Sequence, residues 1–333
     1  MNRLKKLVGA LLLTAVLAGC QTGNGTTTSP GGSSTAAGTS TTTITSTTAG
    51  GTTTPSAAAK ETAYPYTFTS PSGETTVIEA EPQRIVSISP TFTEIVFALG
   101  ASDRLVGRTD YCDYPAETSE IPSIGSMNTP SVETIVELEP DVVLVSFMED
   151  EMMDKIMLSG ATVIQLESSN TIEGSLEGME ELGRILNANE EAEELVEDLK
   201  SDMQEVSEKV QGLEPVSAYY VAGFGQGGDY TAGGDTFMND LIEAAGAVNA
   251  GSDAEGWNYS VEKLIEKDPD FLIIGSMADL ASEFKSTDPY SSLTAVKDGR
   301  LMEIDDNLIA REGPRIAEGI RLMAEIFHPE AFK

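Results

Sequence analysis

One stretch of this chain occurs twice, and that repeat limits the folds open to it. Residues 131–145 read SVETIVELEPDVVLV and residues 260–274 read SVEKLIEKDPDFLII. Ser-Val-Glu opens both copies, a second glutamate follows four residues later, and Pro-Asp precedes an apolar run rich in β-formers. A second correspondence lies upstream of each copy. Thr91-Phe92 leads through an apolar helical pattern to Gly100-Ala101, and Thr236-Phe237 leads likewise to Gly246-Ala247. Copies this far apart do not make a solenoid, whose periods run about 20–50 residues. They predict two similar lobes, each with its own sheet, and a cleft between them suited to a large ligand.

The first residues set the compartment. Arg3, Lys5 and Lys6 precede an apolar run from Leu7 to Leu17, and the segment ends Leu-Ala-Gly-Cys at Cys20. A charged start, a short apolar core and small residues before a cleavage point make a signal peptide over 1–19. The apolar run falls short of the roughly 20 residues a bilayer span needs. Leu-Ala-Gly-Cys resembles the bacterial lipoprotein signal, which implies a lipid on Cys20 and a protein held by it at the outer face of the cell membrane. Residues 20–62 follow as a tether of Gly, Ser, Thr, Ala and Pro, too poor in large apolar side chains to offset the entropy of ordering. A flexible chain of about 40 residues reaches roughly 35 Å.

Charge narrows the partners. The formal charge is −34, and removal of the signal takes away Arg3, Lys5 and Lys6 and no acid, giving −37. Such a body repels nucleic acid and anionic lipid, and suits a cationic docking partner. With Cys20 lipidated, Cys112 stands alone, so no intramolecular disulfide and no multi-cysteine metal site is expected. The one histidine, His328, follows the last helix and reads as a surface residue, which leaves no His-rich metal site and no Ser-His-Asp triad.

Strand and helix signals alternate through the rest, as parallel sheets covered by helices require. Strands are predicted at 84–89, 105–109, 142–145, 162–166, 216–222, 271–274 and 301–304, and helices after Ser89, over 152–158, at 236–245, at 260–267 and from about 314 to 327. Ser89-Pro90 and Ser131 read as helix starts. Residues 190–211 differ: Ala192, Leu195, Val196, Leu199, Met203, Val206 and Val210 recur at steps of three and four. That helix, about 30 Å long at 1.5 Å per residue, lies between the two repeats and reads as a strut. The predicted organisation is therefore an N-terminal lobe over 63–188, a connecting helix over 189–212 and a C-terminal lobe over 213–333. Gly223 to Gly228 spell G-x-G-x-x-G, but more glycine follows where a dinucleotide site needs a helix to begin.

Four motifs carry a resemblance: RIVSISPTFTEI at 84–95, TDYCDYP at 109–115, PSVE at 130–133 with its repeat YSVE at 259–262, and GPRI at 313–316. Together with the signal, tether and strut they resemble the substrate-binding lipoproteins of ABC importers for cobalamin, ferric siderophores or haem, over roughly 82–330. The resemblance implies a monomer without catalytic activity or cofactor, in which each lobe offers one glutamate to an arginine of a permease dimer. Those positions match Glu133 and Glu262, which the repeat already sets in the first turn of equivalent helices.

Ligands of such lobes bind beyond the carboxyl ends of the strands. Loops there supply the candidate contacts Phe92, Tyr111, Tyr114, Met127, Phe147, Tyr230, Trp257, Tyr259 and Arg311, with Met277 in a further loop. Flat apolar groups with little positive charge, mainly Arg108 and Arg311, favour a corrinoid, then a ferric siderophore, then haem. TDYCDYP most resembles the cobalamin-binding branch. A cell-surface hydrolase using two carboxylates is the alternative of a different class, and an adhesive lipoprotein a third.

Overall fold

The structure is a computed structural model that describes residues 61–333 apart from 147, 159, 168, 255 and 277–279. The signal segment, Cys20, the tether up to residue 60, Phe147 and Met277 lie outside the described residues. A two-stranded hairpin comes first, β1 (Tyr66–Thr69) against β2 (Thr75–Ile78). The N-terminal lobe continues β3 (Ile85–Ser87), α1 (Pro90–Ala98), β4 (Leu105–Arg108), α2 (Val132–Glu137), β5 (Val142–Val145), α3 (Asp150–Met157) and β6 (Thr162–Gln165). Two helices follow, α4 (Ile172–Leu186) and α5 (Asn189–Val210). The C-terminal lobe runs β7 (Val216–Val221), β8 (Asp229–Tyr230), α6 (Phe237–Ala244), β9 (Ala247–Asn249), β10 (Asn258–Tyr259), α7 (Val261–Lys267) and β11 (Phe271–Gly275). It ends with α8 (Ala281–Ser286), α9 (Thr294–Lys297), β12 (Leu301–Ile304), α10 (Asp306–Ile309) and α11 (Ile316–Phe327).

Both main sheets are parallel and share one topology. The first has the order β4-β3-β5-β6 and the second β9-β7-β11-β12. In each, the second strand in sequence lies at an edge beside the first, and the third and fourth extend the other side. The duplication seen in the sequence is thus a duplication of fold. Helices cover both faces, so the central strands are apolar throughout, as in Val-Val-Leu-Val of β5.

The repeated residues have local jobs. Ser131 and Ser260 cap α2 and α7, each accepting a hydrogen bond from the backbone N–H three residues on. Such caps stabilise a helix by about 1 kcal/mol. Glu139 and Asp268 leave these helices in the left-handed region, at φ 45° and 40°, just before the repeated prolines. The repeated aspartates then bind the start of the first strand of their own lobe: Asp141 accepts from the N–H of Gln83 and Arg84, Asp270 from the N–H and hydroxyl of Ser217. Gly100 and Gly246, at φ 66° and 84°, end the equivalent helices α1 and α6.

One apolar core joins the lobes. It runs from Ile85 and Ile95 through Leu182 and Ile185 of α4 and Val196 and Leu199 of α5 to Leu241, Ile320 and Met323. On α4, Gly183 lets α5 approach, since a Cβ there would lie 2.4 Å from the Cβ of Ala192. Helix α4 and the hairpin were not predicted. Three glycines and four glutamates hide the stripe of Leu176, Met179, Leu182 and Ile185, although Thr171, which caps the helix, marked its start. Ser89 takes the expected N-cap position of α1, with Pro90 in its first turn and the Ser89 carbonyl accepting from the N–H of Thr93, although its side chain makes no cap bond. One expectation is corrected. His328 is buried rather than at the surface, 9 % exposed, because its Nε2 meets the carbonyl of Gly246 at 2.9 Å.

Candidate functional site

A cavity of about 850 Å³ opens at the carboxyl ends of the first sheet. Strand order reverses beside β3 and β5 in this topology, which parts the following loops and leaves a crevice. Ser89, Pro90 and Thr91 after β3, Ser146 after β5 and Leu166 after β6 form its near wall, with Phe92, Ile95 and Met127 as apolar lining. The C-terminal lobe contributes Ala310, Arg311 and Glu312.

Residues 310–315 form a clasp between the lobes. Arg311 donates to Glu94 at 2.6 Å, pairs with Asp113 at 2.9 Å and reaches the carbonyl of Tyr111 at 3.2 Å. Arg315 donates to both carboxylate oxygens of Glu94, at 2.7 and 2.8 Å, and its guanidinium lies 4.2 Å from the ring centre of Tyr114. Those hydrogen bonds to Glu94 hold the Arg315 guanidinium above its ordinary pKa. Glu312 in turn accepts from the N–H of Ser169 and the hydroxyl of Ser175, at 3.2 Å each. The loop 109–115 can serve this clasp because Thr109 and Cys112 anchor it from beneath; Cys112 Sγ lies 3.1 Å from the Thr93 hydroxyl, free and buried.

The candidates separate into groups. Phe92, Met127 and Arg311 line the cavity. Tyr111 and Tyr114 are exposed on the clasp side of the 109–115 loop. Tyr230 lies on the small β8–β10 ladder, paired with Asn258, and Trp257 immediately precedes β10, its carbonyl accepting from the N–H of Thr231; both are exposed outside the cavity wall, Trp257 at 47 %. Tyr259 is held in its own lobe: its hydroxyl donates to Asp253 at 2.8 Å and Lys263 and Lys267 lie over its ring. Phe147 is outside the described residues. Arg108 turns to its own loop, donating to the carbonyls of Thr109 and Thr118. The glycine-rich loop from Gly223 holds one short turn and then β8, and the next helix starts only at Phe237. It is fixed by Tyr290, which donates to Asp229 at 2.6 Å and accepts from the N–H of Gly225 at 3.0 Å. Burial, then the hydrogen bond to Asp229, pushes the Tyr290 hydroxyl up to about 12.

Sequence reasoning missed Glu94, Arg315 and Arg184. The first two were already visible inside TFTEI and GPRI, as charged residues in otherwise apolar helical patterns. Glu133 and Glu262 occupy the second position of α2 and α7 and are both exposed. The Ser260 hydroxyl donates to Glu262 at 2.6 Å and lowers its pKa; Glu133 has no hydrogen-bond or ion-pair partner among the described residues. No group of three or more metal-ligating side chains occurs among the described residues.

The sequence profile of the periplasmic binding protein family matches residues 85–308. An ABC transporter substrate-binding lipoprotein of Bacillus subtilis (strain 168), YvrC, is 31 % identical over 281 residues, covering 82 % of this chain and 89 % of that protein. The cobalamin-binding protein of Halobacterium salinarum (strain ATCC 29341 / DSM 671 / R1) is 27 % identical over 285 residues, 81 % of this chain and 76 % of that one. Among solved structures, a periplasmic heme binding protein from Pseudomonas aeruginosa superposes with a TM-score of 0.67 at 25 % identity, over 74 % of this chain and 93 % of that one. With matched lobes, a helical connection and a crevice at the strand ends, this chain belongs to the periplasmic binding protein family, as a substrate-binding protein of the ABC-transporter type.

Proposed function

We propose that this protein captures a corrinoid at the outer face of the cell membrane, where a lipid on Cys20 holds it, and delivers it to an ABC permease. The observation that carries the ligand class is the charge state of the cavity wall. Its two guanidinium groups are already paired, Arg311 with Glu94 and Asp113, Arg184 with Glu180 and Glu181. Unpaired burial of a strongly anionic chelate is costly, so the wall favours a large ligand of small net charge. Phe92, Ile95, Met127 and Leu166 offer such a ligand an apolar face, and Ser89 and Ser146 offer hydrogen bonds. The cobalamin-binding relative from Halobacterium supports the same class.

A ferric hydroxamate is the second reading, because it too carries little net charge. Haem, with two propionates, is third. Contact by Tyr111, Tyr114, Tyr230, Trp257 and Tyr259 belongs to this proposal, as does docking through Glu133 and Glu262. Binding and delivery need no catalytic step and no cofactor, and one chain suffices.

Calorimetric titration tests the proposal with cyanocobalamin, ferric hydroxamate, ferric catecholate and haem in parallel. Saturable binding of one cyanocobalamin per chain is expected. No heat at about 100 µM cyanocobalamin, beside tight uptake of the hydroxamate, hands the site to the second reading.

A further inference from the structure

The cavity extends sideways past the strand ends into a trough between the hairpin and α4. The hairpin side is formed by Phe68 to Pro71. The opposite side is one stripe of α4, since Gly174, Glu177, Gly178 and Glu181 fall at steps of three and four. A Cβ added at Gly178 meets nothing within 4 Å, so the floor is open there rather than packed. Two tyrosines hold the hairpin at this distance: Tyr66 donates to Glu181 at 2.7 Å and Tyr64 to the carbonyl of Ile185 at 2.9 Å. The hairpin precedes the part of the chain matched by the family profile, which begins at residue 85.

The trough has a one-sided chemistry. Arg184 is its cation, and Glu181 at 2.8 Å and Glu180 at 3.8 Å neutralise it. Glu167 and Glu177 also line it and have no hydrogen-bond or ion-pair partner among the described residues. Among the described residues the trough therefore presents free acceptors and no free cation. It attracts neutral N–H donors and repels carboxylate or phosphate.

Resting on the corrinoid reading of the site, we infer that the trough is a specificity subsite for the carboxamide arms at the rim of the ligand, with Glu167 and Glu177 accepting their N–H groups. A corrinoid presents several such arms, and its biosynthetic acid form presents carboxylates in their place. The subsite thus selects the fully amidated ligand.

Competition binding with dicyanocobinamide, which keeps the amides and lacks the nucleotide, and with cobyrinic acid, which has carboxylates instead, tests this. Wild-type protein is expected to prefer the amide form by about 100-fold, and Glu167→Gln with Glu177→Gln to narrow that ratio by at least about tenfold. A control pair, Glu266→Gln with Glu283→Gln, removes the same charge from exposed positions of the C-terminal lobe and is expected to leave the ratio unchanged. Gly178→Leu, which fills the trough, is expected to weaken the amide form at least about tenfold. Equal affinity of wild-type protein for the two forms overturns the inference alone, as does a ratio that both glutamine pairs change alike. An unaffected Gly178→Leu variant also overturns it. Failure of wild-type protein to bind either cyanocobalamin or dicyanocobinamide instead overturns the corrinoid reading, and the inference with it.

Discussion

Glu94 on the first helix of one lobe and Arg315 at the start of the last helix of the other are joined by two hydrogen bonds, of 2.7 and 2.8 Å, with Glu94 only 3 % exposed. They lie 221 residues apart in sequence. A carboxylate buried this deeply is tolerable only because two guanidinium groups meet it. Removing its charge leaves both cations poorly matched at the lobe junction. Glu94→Gln is therefore expected to destabilise the protein by about 3–5 kcal/mol, the range for breaking a buried pair. Urea unfolding measures the loss, and a change below about 1 kcal/mol means the pair is dispensable.

Lobe movement on ligand binding is expected to be small. Helix α5 runs unbroken through 22 residues, the core is continuous across the lobes, and the 310–315 clasp ties them at the cleft. Large closures use a few adjustable hinge residues, and a continuous helix offers few. Small-angle scattering with and without cyanocobalamin should give nearly the same radius of gyration; a clear compaction contradicts a stiff junction.

Docking is expected to depend on Glu133 and Glu262, which stand at the same position of equivalent helices. Changing both to lysine should abolish ligand-stimulated ATP hydrolysis by the permease while leaving ligand affinity within about threefold, since reversed rim charges act on partner choice. A collapse of affinity would assign the two residues to the ligand site.

Trp257 is half exposed and makes no ring contact with another aromatic among the described residues. If it closes over the ligand, Trp257→Ala costs about 1–3 kcal/mol of binding, the scale of a buried large side chain. Unchanged affinity removes it from the site.

Alkaline pH is expected to loosen the hairpin. Burial, then neighbouring carboxylates, push the Tyr64 and Tyr66 hydroxyls up to about 12. A pKa raised by folding means that folding favours the protonated form. The stabilisation is full below the ordinary tyrosine value of about 10 and is lost as pH rises through the raised value. Stability should therefore fall between about pH 10 and 12, and Tyr66→Phe should flatten that fall in a pH series of urea unfolding. An identical slope in the variant excludes Tyr66 as a source.

Much of the fold was legible because it depends on short-range patterns. The apolar runs of β5 and β11, the capping serines 131 and 260 and the glycines 100 and 246 each report the backbone within a few residues of themselves. Helix α4 was obscured because its glycines lower helix propensity, and only contact with α5 shows why Gly183 is there. The hairpin strands are four residues each and gain their stability from packing beside α4.

The candidate site divides in the same way. Alternating strands and helices placed Phe92, Met127 and Arg311 at strand ends, where the cavity is, because a parallel sheet sends all its carboxyl ends one way. The sequence by itself determined two matched lobes, since duplicated residues impose duplicated local structure and each parallel sheet needs its covering helices. Only the tertiary structure decided which charges meet. Arg311 counted in the sequence as one of the few positive charges of the strand-end loops, but folding brings Glu94 and Asp113 within 3 Å of it, across a junction that no local pattern records. Opposite charges buried together neutralise one another, so the charge a cavity offers its ligand is what remains after those pairs have formed.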